Sequence, residues 1–152
     1  MPEFGRTKIA VKILANDMID SIIDDLNEQN KNASFKLAKS LKSETIQTAN
    51  IIKVNFKAKS YWRQVDKGRR PGKFVPIAPL TRWAKQKLGI QDEEEARSTA
   101  FAISRSIKKK GTEGTNIFTN NIEKYKKEFR NLSQTAPRQD IIEQINKILN
   151  TK

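Results

Sequence analysis

The 152-residue chain carries 30 Lys and Arg against 17 Asp and Glu, a net charge of +13, and contains neither cysteine nor histidine. Disulfides, thiolate chemistry, Cys/His zinc sites and histidine acid–base catalysis are thereby excluded. The charge points to acidic partners: nucleic acid, an anionic surface or an acidic protein ring.

A hydrophobic fraction of 36% with mean hydropathy −0.71 fits one domain of ordinary size plus terminal extensions, with much surface left to water or a partner. No stretch approaches the roughly eighteen apolar residues of a membrane span. MPEFGRTKIAVKIL lacks the apolar core of a signal peptide, so the expectation is a protein that stays in the cytoplasm where it is made.

The periodicity predicts a first helix over Ile9–Asn30, with Leu14, Met18, Ile19, Ile22, Ile23 and Leu26 on one stripe. Asp17, Asp20, Asp24, Asp25 and Glu28 fall opposite, and Asn16 is placed to cap the stronger part. Ser34–Lys42 and Asn50–Lys59 alternate apolar and polar residues, which predicts an antiparallel pair joined by Ser43–Ala49. One face of that pair, with Ile52, Val54, Phe56 and Ala58, is expected against the first helix. The lysine face reads either as an ordinary solvated sheet surface or as a dedicated binding face.

Tyr61–Lys67 fits a strand extension or one helical turn. Pro79 suits the first turn of a helix running to Leu88 and ended by Gly89, with Leu80, Trp83, Ala84 and Leu88 apolar and Arg82, Lys85 and Lys87 basic. Asp92 caps the next helix, whose first turn holds Glu93–Glu95, whose core positions are Ala96, Ala100, Ile103 and Ile107, and whose last turn is Lys108–Lys110 before Gly111. That triple lysine reads as macrodipole complementation, with a nucleic-acid patch as the competing reading. Gly111–Thr115 is a loop, Thr119–Asn131 a helix with Ile122, Tyr125 and Phe129 on one side, and Ser133–Pro137 a linker. Arg138–Leu149 is a short final helix with Ile141, Ile142, Ile145, Ile148 and Leu149 as its stripe.

The charge is local. Lys53 to Lys87 holds eleven Lys and Arg against the single acid Asp66. At its centre is the loop Lys67-Gly68-Arg69-Arg70-Pro71-Gly72-Lys73, whose two glycines and proline specify a shape. Asp66 is expected to pair with Arg63, Arg69 or Arg70 or to cap the glycine turn; a hydrolytic role for it is the residual reading. The loop is not a P-loop, since neither the glycine spacing nor Lys-Ser/Thr follows. Interleaved Tyr61, Trp62 and Phe74 suit nucleic-acid binding and equally suit anchoring the loop on the core, and no zinc finger, RNP sequence or helix-turn-helix is present. No catalytic, cofactor or metal residue is assigned.

The order of elements from Ser60 to Phe118 resembles the phage tail-completion or head–tail joining family, the small neck proteins of tailed phages. The matching positions are Tyr61, Val65, Asp66, Gly68, Arg69, Pro71, Pro76, Trp83, Lys87, Gly89 and Ile90, then Ala100–Ile103, Gly111-Thr112 and Phe118. The pair Arg69-Arg70 before Pro71-Gly72 is most similar to versions from phages of Bacteroides-type hosts, including the crAss-like group. The helix after Pro137 has no counterpart in the resemblance.

The resemblance implies an α+β fold: an N-terminal helix, a small antiparallel sheet and several helices packed on it, forming one connector-type domain over residues 1–132. Residues 133–152 are a linker and C-terminal helix. It implies no enzyme and no cofactor. It implies instead a six- or twelvefold ring of identical subunits in the virion neck, between portal and tail proteins around the DNA channel, with non-specific contact to packaged DNA and none to membrane. On that expectation Lys67–Lys73 lies at an interface or toward the lumen, held from the core by Tyr61, Trp62, Val65, Trp83, Phe101, Ile103 and Phe118. The alternative is a small basic DNA-binding protein.

Overall fold

The computed structural model describes residues 5–31, 35–48 and 51–149, without the side chains of 139 and 141–149. It is a mixed α+β structure with an N-terminal helix, small antiparallel two-stranded sheets and several helices. The chain groups into two compact units.

The first unit takes residues Met1–Asp25, Ser40–Ala58 and Phe118–Lys152. Helix α1 spans Gly5–Glu28 and helix α6 spans Ile117–Leu149. Ala15, Met18, Ile19 and Ile22 on α1 are buried, as the expected stripe requires, with Phe118, Tyr125 and Ala136 from α6. Polar ties set the direction: Thr7 meets Asp140, the Tyr125 hydroxyl donates to the Asp17 carbonyl at 3.1 Å, and Asn121 donates to Asp25 at 2.6 Å. Early α1 meets late α6, so the two helices run antiparallel.

Strands β1 (Lys42–Thr48) and β2 (Ile51–Lys57) form an antiparallel hairpin in the register Ser43↔Phe56 to Thr48↔Ile51. Its half-buried face carries Ser43, Thr45, Gln47, Ile52 and Val54, and the Ser43 hydroxyl donates to Asn16 on α1 at 2.8 Å. Lys42, Lys53 and Lys57 are exposed on the other face.

The structure departs from the sequence expectations for this unit and the α2 segment at four places. The first strand is not Ser34–Lys42: Lys36–Ser40 is helix α2, burying the consecutive Leu37 and Ala38, which an alternating strand would send to opposite faces. The strand is the polar Lys42–Thr48 instead. Asn16 lies mid-helix and caps nothing. Ser133–Pro137 is no linker, because α6 continues through Pro137. Ser133 and Thr135 donate to the Arg130 and Asn131 carbonyls at 2.7 and 3.1 Å, while buried Ala136 and Asp140 hold this stretch to the body. Packing thus outweighs the roughly 3 kcal/mol helix penalty of proline. Ile122, expected inside, is exposed, and Asn121 takes the buried position. The Ile141–Leu149 stripe lies outside the described side chains.

The second unit takes Leu26–Lys39 and Lys59–Ile117. It contains helix α3 (Trp62–Lys67), strand β3 (Gly68–Arg69), helices α4 (Ile77–Leu88) and α5 (Glu93–Lys110), and strand β4 (Thr112–Glu113). Asp92 accepts from the Glu95 amide at 2.8 Å, the expected N-cap. Pro76 is the N-cap residue of α4, and Pro79 stands in its first turn, as expected. The paired helices bury small residues, Thr81 and Ala84 against Ala96, Ala100 and Ser104. Small side chains let two helices approach closely, and the large apolar residues are displaced outward. Trp83, Leu88 and Phe101 are exposed.

Candidate functional site: a cationic platform

Tyr61–Lys67 resolves as the helical turn α3, and its carbonyls become anchors. The Val65 carbonyl accepts from the Thr115 amide and hydroxyl, both at 3.0 Å, and the Asp66 carbonyl accepts from the Asn116 amide at 2.9 Å. Immediately beyond, β3 pairs antiparallel with β4, Gly68 opposite Glu113 and Arg69 opposite Thr112. The basic loop is therefore stitched to the Gly111–Asn116 segment along its whole base.

Glycine is demanded at this seam. Gly68 (φ 74, ψ −167) and Gly111 (φ 75, ψ −165) occupy a region of backbone space essentially closed to other residues. A Cβ on Gly68 would lie 2.1 Å from the Thr112 carbonyl oxygen, and one on Gly111 would lie 2.2 Å from the Arg69 carbonyl oxygen. The two backbones touch because neither carries a side chain there.

The far side of the loop is tied to α5. The Gly72 amide donates to the Lys108 carbonyl at 2.8 Å. Lys108 Nζ sits 4.2 Å from the Phe74 ring centroid, a cation–π contact. Fully buried Ser104 both accepts from the Val75 amide (3.0 Å) and donates to the Val75 carbonyl (2.7 Å). Arg69 Nη2 reaches the Phe74 carbonyl at 3.5 Å.

These ties bring Lys67, Arg69, Arg70 and Lys73 together with Lys108, Lys109 and Lys110 on one platform. All except half-buried Arg69 are exposed. The second unit as a whole carries seventeen Lys and Arg against seven Asp and Glu, a net +10. The lysines at the end of α5 face a helix C-terminus, where cations are favoured, and they also extend the basic loop. In sequence they read first as macrodipole partners, with a nucleic-acid patch as the competing reading. The signal that joins them to the loop is the glycine pair, Gly68 before Arg69 and Gly111 after Lys110, which permits the backbone crossing.

Asp66 is 1% exposed and its carboxylate lies 3.5 Å from Lys67 Nζ. Lys67 is thus one ion-pair partner of Asp66. Of the residues expected to hold the loop from the core, Phe118 is buried in the first unit; Trp62, Val65 and Ile103 are half-buried; Tyr61, Trp83 and Phe101 are exposed at 42, 36 and 53%. The loop is anchored chiefly by backbone pairing and by Ser104, not by an aromatic core. On α4, Lys85 pairs with Glu93 and Lys87 donates to the Asn30 carbonyl at 2.7 Å, so those two cations serve the fold.

Tyr61 and Trp83 instead line a cleft of about 340 Å³, with Phe35, Lys31, Lys36 and the β4 residues Thr112 and Glu113. Burial pushes the Tyr61 phenol above its usual range. No helix among the described residues is long and apolar enough to cross a membrane. In comparisons with family models, curated proteins and solved structures, nothing matches this chain.

Proposed function

We propose that the chain is a structural virion protein, one subunit of a ring in the neck of a tailed phage, joining the portal-capped head to the tail around the DNA channel. The observation that carries this reading is the backbone-locked cationic platform. A ring subunit needs rigid, shaped contact surfaces that complement different surfaces on its neighbours, and positive charge suits a position facing packaged DNA or an acidic neighbouring ring. The order of elements from Ser60 to Phe118 is what ties the platform to that family in particular.

A second reading has its own support. Seven cations gathered where the basic loop meets the end of α5, in a unit with net charge +10, also describe a small DNA-binding module. Phosphate contacts would make its affinity fall steeply with salt.

Native mass at physiological salt, with and without duplex DNA, separates the two. The ring reading expects a discrete six- or twelve-subunit species whose mass DNA does not change. A monomer or dimer that shifts onto duplex DNA, and leaves it as salt rises, would overturn that reading in favour of the module.

A further inference from the structure

We infer that the platform and the aromatic cleft beside it form one docking surface, and that its occupant is helix α1 of a second copy of this chain. The inference deepens the ring reading, on which it rests, by naming the two surfaces that meet.

The receiving surface has an ordered chemistry. Phe35, Tyr61 and Trp83 stand 52, 42 and 36% exposed around the cleft. Strand β4 walls that cleft and, by pairing with β3, also forms the base of the platform. The aromatic cleft, whose lining also holds Lys31, Lys36 and Glu113, therefore adjoins the cationic platform through β4. Contiguous exposed aromatics on a folded domain mark interaction surfaces rather than ordinary wetted ones. Duplex DNA would satisfy the cations and leave the aromatics in water, because its outer face is phosphate and sugar. An occupant of the whole surface needs an apolar end and an anionic end.

Helix α1 has both, in order. Ile9, Ile13, Asp17, Asp20 and Asp24 recur at spacings of four, four, three and four, which places them on one helical face. Ile9 and Ile13 are 61 and 56% exposed, and the three aspartates are exposed after them. The stripe is about 22 Å long at 1.5 Å per residue. Among the described residues no ion pair takes Asp20 or Asp24. Like charges four apart cost a helix a few tenths of a kcal/mol, so nothing within α1 calls for them.

The two patches lie on different parts of the chain, so each copy offers one and receives the other. That is a head-to-tail contact, the kind that closes into rings.

Charge exchange tests it. Asp20→Lys with Asp24→Lys turns the three aspartates of the stripe from −3 to +1, and Arg70→Glu with Lys73→Glu, Lys109→Glu and Lys110→Glu turns the seven cations of the platform from +7 to −1. All six positions are exposed, and circular dichroism checks that the variants fold. Each variant alone is expected to self-associate at least about tenfold more weakly than the parent chain. A one-to-one mixture is expected to recover association in alternating copies, since both mismatches are then corrected. If each variant associates as the parent does, the surface is wrong while the ring reading stands. If neither the parent nor the mixture associates, the inference falls. The ring reading fails on a different result, the shift of a monomer onto duplex DNA.

Discussion

Replacing Gly68 by alanine is the sharpest perturbation of the platform. The new Cβ would lie 2.1 Å from the Thr112 carbonyl oxygen, 2.7 Å from the Gly114 nitrogen and 2.8 Å from the Glu113 carbonyl carbon. All three are backbone atoms, so no rotamer change relieves the overlap. Holding a non-glycine residue at this φ and ψ costs roughly 1–3 kcal/mol, and forcing the two backbones apart adds roughly 1–3 kcal/mol. A loss of about 4 kcal/mol lowers the melting temperature of a chain this size by roughly 8–16 °C. Gly89→Ala is the control: its φ of 71 is also left-handed, but nothing lies within 4 Å of a Cβ there, and the cost is roughly 1–2 kcal/mol. Thermal melts report the global loss. Hydrogen exchange at the Thr115 amide, which donates across the seam to Val65, reports its opening, and exchange at the Gly72 amide, which donates to Lys108, reports release of the loop from α5. If Gly68→Ala costs no more than Gly89→Ala and leaves those amides protected, the close crossing of β3 and β4 is not what holds the loop.

Ser104→Ala removes a buried hydroxyl that serves both the amide and carbonyl of Val75, so about 1–3 kcal/mol should be lost in urea titrations, with the same amides exchanging faster. Asp140→Ala strips the acceptor that takes the Thr7 amide at 3.0 Å and its hydroxyl near the start of α1; a loss of about 1–3 kcal/mol is expected, and parent-like stability would mean that α6 does not cap α1. Burial holds the Tyr61 phenol in its neutral form above the ordinary range near 10. The sign follows: the folded state keeps its proton where the unfolded chain releases it, so this contribution is present below about pH 10 and lost above it. Tyr61→Phe should make stability less sensitive to alkali, and an unchanged alkaline limb would show that Tyr61 does not carry it. On the DNA-binding reading, affinity should weaken uniformly across DNA sequences in an Arg70→Ala, Lys73→Ala variant, measured by fluorescence anisotropy; unchanged binding would place the DNA contact elsewhere.

How far the sequence carries depends on which forces decide each element. Helix α1 was legible because Met18, Ile22 and Leu26 repeat at the helical period and are buried. Helix α5 was legible because Asp92, three glutamates and three lysines mark both ends. The hairpin was half legible: Ile52 and Val54 alternate, but β1 is Lys-Ser-Glu-Thr-Ile-Gln-Thr, a strand that earns its place through pairing and shows little apolar signal. The short run around Leu37 fitted both periods, and burial of two consecutive residues chose helix. Pro137 misled because a local rule was overridden by distant partners, above all Asp140 on Thr7. At the site, the shaped basic loop was legible from its glycines and proline, whereas its junction with Lys108–Lys110 was not. Lys108 lies thirty-five positions beyond Lys73, and they are joined through folded contacts: the Gly72–Lys108 backbone bond, the Ser104–Val75 bonds and Lys108 on the Phe74 ring.

That junction bears on what the platform is for. Seven cations held side by side repel one another, and the fold offsets this with the α5 C-terminus, the Phe74 ring beside Lys108 and Asp66 beneath Lys67. A flexible loop would relieve the repulsion at no structural cost by splaying into solvent. Here the backbone is locked on both sides, by β4 and by α5, so the charge stays concentrated before any partner arrives. Pre-organisation of this kind lowers the ordering cost of association, and its benefit is realised only against an anionic surface of matching shape. A rigid protein face such as an acidic helix stripe, lying flat across platform and cleft together, draws on both the fixed charge and the exposed aromatics. A lone phosphate row draws on the charge alone.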